Sequence, residues 1–256
     1  MKKRIFQKFY NRFLCGFNRY LMTINFTAKI LKIDENEKAL CIAPHPDDES
    51  IGMGGVLAKY KDNFDVVCLT DGAKGIKNQS VDEIVQTRKI EFSNALKIAG
   101  IKNYKNLGIA DREVCNAYDK FSKIEIEKYD YIFIPNLIDT HYDHRACFIH
   151  LQKMLREKKH KSNLKILFYE VWGTLTSPNI LVNITDVVQI KSEMIKCYKS
   201  QLARKDYLGA ILGLNKYRGL TKNIEYSEAF WLLDYKEVLK LYDEFFSDIK
   251  EQTDNE

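Results

Sequence analysis

From residue 39 onwards the chain alternates short, largely apolar runs with longer stretches of helical periodicity, and this alternation restricts its fold more than any other feature. Residues 39–43, 64–70, 129–135 and 164–171 are rich in β-branched and aromatic side chains and too short for buried helices, so they predict strands. Between them, residues 51–60, 81–99 and 145–158 carry apolar positions at three- and four-residue spacing and predict helices. Beyond Trp172, residues 180–184 and 225–234 predict further strands, and 186–200 and 236–249 further helices. A helix between two strands returns the chain to the end where it started, so successive strands run parallel. The expectation is an α/β, Rossmann-like fold, a mostly parallel sheet flanked by helices. With 256 residues, 45% of them hydrophobic, the chain can bury one full-sized core and no more. Ligands of such sheets bind beyond the carboxyl ends of the strands, so the chemistry is expected in those loops.

The formal charge of +5 is unevenly spread. Eight Lys and Arg residues precede the first acid, Asp34, giving residues 1–33 a charge of +8 and leaving the remainder at −3. A mildly acidic body argues against a nucleic-acid enzyme, whose basic surface surrounds its binding site. In the first 25 residues Ile5, Phe6, Phe9, Tyr10, Phe13, Leu14, Phe17, Leu21 and Ile24 recur at helical spacing opposite Lys and Arg, the pattern of an amphipathic helix. Such a helix lies flat on an anionic membrane surface or packs its aromatic face against protein. Arg12, Asn18 and Arg19 interrupt what a secretory signal would need to keep apolar, and no run reaches the roughly 18–20 apolar residues of a membrane span. The expected organisation is a basic N-terminal extension over residues 1–37 and a catalytic domain over 38–256, with residues 34–38 as a polar linker. The expected location is cytoplasmic, peripheral on the inner face of the cytoplasmic membrane. The six cysteines include no CxxC pair, and most read as small core residues of a reducing compartment.

Two loops carry the chemistry. Directly after residues 39–43 come Pro44, His45, Pro46, Asp47, Asp48, Glu49 and Ser50, with Gly52, Gly54 and Gly55 opening the next helix. One imidazole and three consecutive carboxylates in a proline-stiffened turn bring metal ligands and a general base together at a strand's carboxyl end. The plain alternative is a solvated acidic turn in which Asp47 or Asp48 caps the helix. After the strand ending at Pro135 comes Thr140, His141, Tyr142, Asp143 and His144, again where a strand gives way to a helix. Catalytic zinc commonly takes three protein ligands and leaves one position for water; His45, one aspartate and one histidine of this second loop would supply them. His150 and His160 suit surface or packing roles.

Through His45-Pro46-Asp47-Asp48-Glu49 and His141-x-Asp143-His144 the sequence resembles the LmbE-like or PIG-L-type zinc N-deacetylases. Weaker similarities lie at Thr70-Asp71-Gly72, Arg88-x-x-Glu91, Ser200-Gln201 and Glu228-Ala229-Phe230, so the resemblance covers about residues 38–235. It implies that His45, Asp48 and His144 hold one Zn2+ per chain and that Asp47 is the general base. Iron or cobalt could replace zinc, because a two-histidine, one-aspartate set discriminates poorly between them. A protonated His141 would stabilise the oxyanion or protonate the leaving amine, with Asp143 orienting its ring and Glu49 in support. Arg88 is implied to reach the sugar hydroxyls, a surface pair with Glu91 being the plain alternative. Asp71 and Asp111 are implied to line the pocket. Tyr142 departs from the family's pattern, which often has a smaller residue or proline there, and would narrow the pocket or hydrogen-bond the substrate.

The expected activity is removal of the N-acetyl group from an N-acetylglucosamine-type conjugate, a lipid- or nucleotide-linked precursor in surface-polysaccharide biosynthesis. Two alternatives compete with it. A catalytically silent sugar-binding or scaffold relative would have lost Asp47 or a ligand, and none is missing. A deacetylase of a thiol-cofactor precursor leaves the basic, aromatic N-terminus without a use.

Overall fold

A computed structural model describes residues 28–76 and 79–245 of the chain. Eight strands form one sheet: β1 (Lys29–Ile30), β2 (Ala39–Ala43), β3 (Phe64–Thr70), β4 (Asn103–Ile109), β5 (Tyr131–Pro135), β6 (Lys165–Tyr169), β7 (Ile180–Asn183) and β8 (Ser227–Asp234), in the order β1-β7-β8-β6-β5-β2-β3-β4. Every pairing is parallel except those of β8, which runs antiparallel to both β6 and β7. The inner strands β2 and β5 are buried along their whole length, because helices cover both faces. This is why their sequences are continuous apolar runs and not an alternation.

The described helices are α1 (Asp48–Lys59), α2 (Val81–Ala99), α3 (Tyr118–Phe121), α4 (Tyr142–Glu157), α5 (Val188–Lys196), α6 (Lys199–Leu202), α7 (Tyr207–Gly219) and α8 (Tyr235–Phe245). Phe148, Leu151 and Met154 of α4 and Val238 and Leu241 of α8 pack on one face of the sheet. Val56 and Leu57 of α1, Phe92 and Leu96 of α2 and Met194 of α5 pack on the other. Ser80 and Glu83 start α2 with a reciprocal capping box, and Gly100, in the left-handed region, ends it.

Four described elements were not anticipated in the sequence: the two-residue β1, the one-turn α3, β4 and α7. Strand β4 is polar and mostly exposed because it forms an edge of the sheet, and α7 lacks a clean apolar stripe. The linker expected over residues 34–38 is instead a turn inside the body. Asn63 donates to the carbonyls of Asp34 and Glu37, Ile33 is buried, and Lys29–Ile30 extends the sheet beside β7. Residues 1–27, which hold the anticipated amphipathic helix, lie outside the described residues. No helix of the described residues is long and apolar enough to cross a membrane.

The topology locates the crevice. From β2 the chain moves outwards through β3 to β4, then crosses back to β5 on the other side of β2 and on to β6. The loops leaving β2 and β5 therefore diverge at the point where the winding reverses, which opens a cleft between their carboxyl ends. Helix α1 is fitted closely beneath it. A Cβ on Gly52 would lie 2.3 Å from Tyr169 Cδ2, and one on Gly55 2.6 Å from Ile184 Cγ2, so both positions require glycine. The helix breaks at Met53 (φ −150°, ψ 26°), and the amides of Gly55 and Val56 donate to the Glu228 carboxylate at 2.8 and 2.7 Å. Glu228 thus caps a second helical start within the core and is neutralised by Lys191 Nζ at 2.6 Å.

Candidate active site

The turn leaving β2 folds His45 and Asp48 back on each other. The Asp48 carboxylate accepts from the His45 amide at 2.8 Å and stands 3.1 Å from His45 Nδ1. Asp47 occupies the N-cap position of α1 with φ 125°, a region unfavourable to any side chain with a Cβ, yet makes no capping bond with its own side chain. A conformation of this kind costs on the order of 1–3 kcal/mol and persists only where its surroundings enforce it. Here they do. Glu49 Oε2 accepts from the Asp47 amide at 3.1 Å, and Arg88 Nη2 donates to Asp47 Oδ2 at 2.9 Å and also to the Pro46 carbonyl. Glu49 is itself fixed by Ser50 Oγ at 2.6 Å and by the Tyr198 hydroxyl. Asp47, Asp48 and Glu49 are all buried, which removes the reading of this stretch as a solvated acidic turn.

Helix α4 brings the second loop against the first. His144 Nε2 lies 3.1 Å from Asp48 Oδ2 and 3.3 Å from His45 Nδ1, so three ligand atoms face one another at 3.1–3.3 Å. Four ligands set tetrahedrally about a divalent metal at roughly 2.0–2.1 Å stand about 3.3 Å apart, so this trio has the spacing of a metal site. The ligand atoms of His45, His141 and His144 also lie within 4.8 Å of one another. We favour Asp48 over His141 as the third ligand, because its distances are shorter and because the remaining nitrogens of the two histidines each face a carboxylate within 3.3 Å. His45 Nε2 lies 3.0 Å from Asp143 Oδ2 and 3.5 Å from Asp111 Oδ1; His144 Nδ1 lies 3.3 Å from Asp139 Oδ2. Carboxylates behind ligand histidines fix the ring and make it a better donor.

The charges suit a cation. Burial opposes a charge on His45, yet Asp111, Asp143 and Asp48 outweigh it and lift its pKa well above the ordinary imidazole value. Burial likewise opposes a charge on His144, which Asp48 and Asp139 lift to about 9. Burial acts to raise Asp48, but the two rings hold its carboxyl far below the usual range. Four aspartates, 48, 111, 139 and 143, bring their carboxylates within 3.5 Å of the two imidazoles. The positive charge they call for is what a divalent ion supplies, and two nitrogens with one carboxylate oxygen form a donor set suited to it.

The other residues singled out in the sequence take these places. Asp143 does not orient His141: its carboxylate faces His45 and accepts from the amides of Arg112 at 2.9 Å and Val114 at 3.2 Å. Only its backbone amide meets His141, donating to Nδ1 at 3.3 Å. Nor does His141 favour the protonated form, since burial and the neighbouring His45 and His144 lower its pKa. With Nδ1 accepting, the neutral ring carries its proton on Nε2. Arg88 is 2% exposed, and its two terminal nitrogens are engaged by Asp47, Pro46 and Glu91. It supports the loop from below and does not present a free guanidinium to solvent. The pair with Glu91 does form, but buried and not on the surface. Asp71 ties two loops together by accepting from the amides of Ala73 and Asp111. Tyr142 is 70% exposed, with Arg145 stacked on its ring.

Asp139 escaped the sequence reading. It is buried, faces His144, and accepts from the amides of His141, Trp172 and Gly173 at 2.9–3.0 Å. Its position two residues before His141, where a strand's carboxyl end turns into a helix, was the available signal. A cleft of ≈ 320 Å³ lined by Asp65, Lys102, Tyr104, Lys105, Lys128 and Tyr129 lies at the amino ends of β3 and β4 and touches none of these residues. Ligands of parallel sheets do not bind at that end.

The family model described as PIG-L, GlcNAc-PI de-N-acetylase, matches residues 40–154, which contain both loops. Diacetylchitobiose deacetylase from Thermococcus kodakarensis is 29% identical over 225 residues, 77% of this chain and 81% of that protein. A probable N-acetyl-alpha-D-glucosaminyl L-malate deacetylase 2 from Bacillus subtilis is 27% identical over 185 residues, 64% of this chain and 83% of that one. Among solved structures, the N,N'-diacetylchitobiose deacetylase of Pyrococcus horikoshii, complexed with its inhibitor, superposes with a TM-score of 0.70 at 24% identity, covering 83% of this chain and 88% of that chain.

Proposed function

The chain carries a PIG-L-family domain, and from that premise we propose that it is a zinc-dependent hydrolase removing the acetyl group from an N-acetylglucosamine-type conjugate. The observation that carries this reading is the convergence of His45 Nδ1, Asp48 Oδ2 and His144 Nε2 within 3.3 Å, with the Asp47 carboxylate on the adjacent residue. The substrate class is supported by the relatives, whose names specify diacetylchitobiose and N-acetylglucosaminyl malate.

His45, Asp48 and His144 would hold the ion, whose chemistry when bound is Lewis acidity towards the acetyl carbonyl and the attacking water. Asp47 takes the proton of that water as its oxygen bonds to the carbonyl carbon. Arg88 occupies Oδ2, leaving Oδ1 as the accepting atom, and burial pushes the Asp47 pKa up to about 6 against the pull of Arg88. A carboxylate in this range accepts a proton and releases it again within one turnover. Neutral His141 donates its Nε2 hydrogen to the oxyanion that develops on the acetyl oxygen. As the carbon–nitrogen bond breaks, Asp47 passes its proton to the departing amine and acetate leaves.

The finer reading is a lipid- or nucleotide-linked precursor of a surface glycan, and it draws its support from the +8 charge and the Phe-rich pattern of residues 1–33. On this reading the segment docks the enzyme on anionic lipid. Full-length protein should then float with anionic liposomes; active protein that stays in the buffer fraction rules docking out.

Acetate release from free, nucleotide-linked and polyprenyl-linked N-acetylglucosamine, assayed with metal analysis, tests the activity. Activity should track zinc content, vanish on chelation and return at one equivalent per chain. His144→Ala should lose metal affinity and activity together. Zinc-loaded, folded protein that releases no acetate from any acetamido sugar would falsify the proposal.

A further inference from the structure

The loop leaving β6 is held at nearly every residue. Glu170 pairs with Arg218 and accepts from the Leu175 amide at 2.6 Å, and Arg218 donates to the Leu175 carbonyl at 2.7 Å. The amides of Trp172 and Gly173 both donate to Asp139 Oδ2 at 3.0 Å, and Asn136 donates to the Gly173 carbonyl at 3.3 Å. A Cβ on Gly173 would stand 3.0 Å from Asp139 Cα, so the loop is also pressed against its support. What this rigid loop presents outwards is an indole. Trp172 remains 43% exposed, although a large apolar side chain with no ligand to meet is usually covered.

Its position is beside the reacting centre. Asp139 Oδ2 is shared between the Trp172 amide and His144 Nδ1, so a single carboxylate oxygen separates the indole's backbone from a zinc-ligand ring. Tyr207 stands edge-on to Trp172, with ring centroids 5.7 Å apart and an interplanar angle of 69°. The same Tyr207 borders a recess that also touches Asp47. Lys205 Nζ lies over the indole ring, 4.5 Å from its centre. Two aromatic rings thus stand beside the crevice, with an ammonium over one face of the indole.

We propose that Trp172 and Tyr207 form a subsite for a pyranose ring of the substrate, whose apolar C–H face stacks on the indole and moves the exposed Lys205 ammonium aside to donate to its hydroxyls. The inference rests on the deacetylase reading and deepens it. A pyranose has one face of axial C–H bonds and a rim of hydroxyls, and a fixed aromatic plane with a polar donor beside it matches both. Because the loop is already ordered, little conformational entropy is lost when the ring binds.

The chain has two tryptophans, and the second, Trp231, is 2% exposed, so sugar contact at the indole of Trp172 should be visible in intrinsic fluorescence. The zinc-loaded Asp47→Asn protein, used so that sugar is not consumed, is titrated with N-acetylglucosamine and with N,N'-diacetylchitobiose. A saturable change is expected, which Trp172→Phe abolishes in the same background. Measured by calorimetric titration, which does not depend on the Trp172 signal, Trp172→Ala should raise Kd about tenfold, the scale of one lost aromatic contact, with Trp172→Tyr recovering most of it. In the Asp47 enzyme Trp172→Ala should raise KM and leave kcat within about twofold, a split that general destabilisation does not produce. A weakened Kd for both sugars places the acetamido ring itself on the indole; a loss confined to the disaccharide places the neighbouring ring there. Unchanged Kd in Trp172→Ala, or no saturable signal with either sugar, overturns the subsite. Saturable Trp172-dependent binding without acetate release by the Asp47 enzyme overturns the deacetylase reading and leaves the subsite standing.

Discussion

Asp47→Asn should lower kcat by about 10²–10⁴-fold, the range contributed by a positioned general base, while one zinc per chain is retained. The substitution preserves volume and can still accept from Arg88 through its carbonyl oxygen, so the loop has no reason to move. What it removes is the atom that takes the proton. Metal content measured beside kcat separates this from His144→Ala, which should lose both. The pH profile gives a second check. Burial raises the Asp47 pKa to about 6, and the active form is the carboxylate, so activity rises with pH as Asp47 ionises. A cation nearby favours the charged form, which places this acid limb at or below pH 6 in the zinc enzyme. Asp47→Asn with wild-type turnover, or with the same limb in its residual activity, would remove Asp47 from the mechanism.

Lys191→Met should cost about 3–5 kcal/mol in urea denaturation, a large share of a domain's whole stability. Lys191 and Glu228 are 0% and 1% exposed at the side chain, and Lys191 Nζ donates to the Ile51 carbonyl as well as to Glu228. Removing the ammonium leaves a carboxylate in the core with only the amides of Gly55 and Val56 to hold its charge. The double variant Lys191→Met with Glu228→Gln should recover part of the loss, because no net charge is then buried. Equal stability of Lys191→Met and wild type would show that the pair contributes nothing to the fold.

The parts of this protein that were legible in its sequence are those whose signal is local. Strands β2 and β3 and helix α2 coincide with residues 39–43, 64–70 and 81–99, because a buried run or a capped amphipathic stretch is complete within its own residues. The two loops that carry the His and Asp cluster were equally visible, since such residues at a strand's carboxyl end have few structural uses. What the sequence withheld was pairing across distance. Asp143 lies two residues from His141 yet serves His45, and Asp139 is recognisable only once His144 stands beside it. Arg88 sits on a helix surface in the linear pattern, but the fold drives that surface under the β2 loop. Strand β4 was invisible because an edge strand in contact with water needs no apolar run.

The direction of β1 bears on where the substrate comes from. Lys29–Ile30 runs parallel to β7, which runs parallel to β2 and β5, so the basic N-terminal segment joins the body at the amino end of the sheet. The crevice opens at the carboxyl end. A strand of five to seven residues, rising roughly 3.3 Å per residue, separates the two ends by about 20 Å. The first described strand and the Asp47 mouth therefore stand at opposite ends of the sheet, so the crevice is approached from solvent without passing the place where residues 29–30 enter the body.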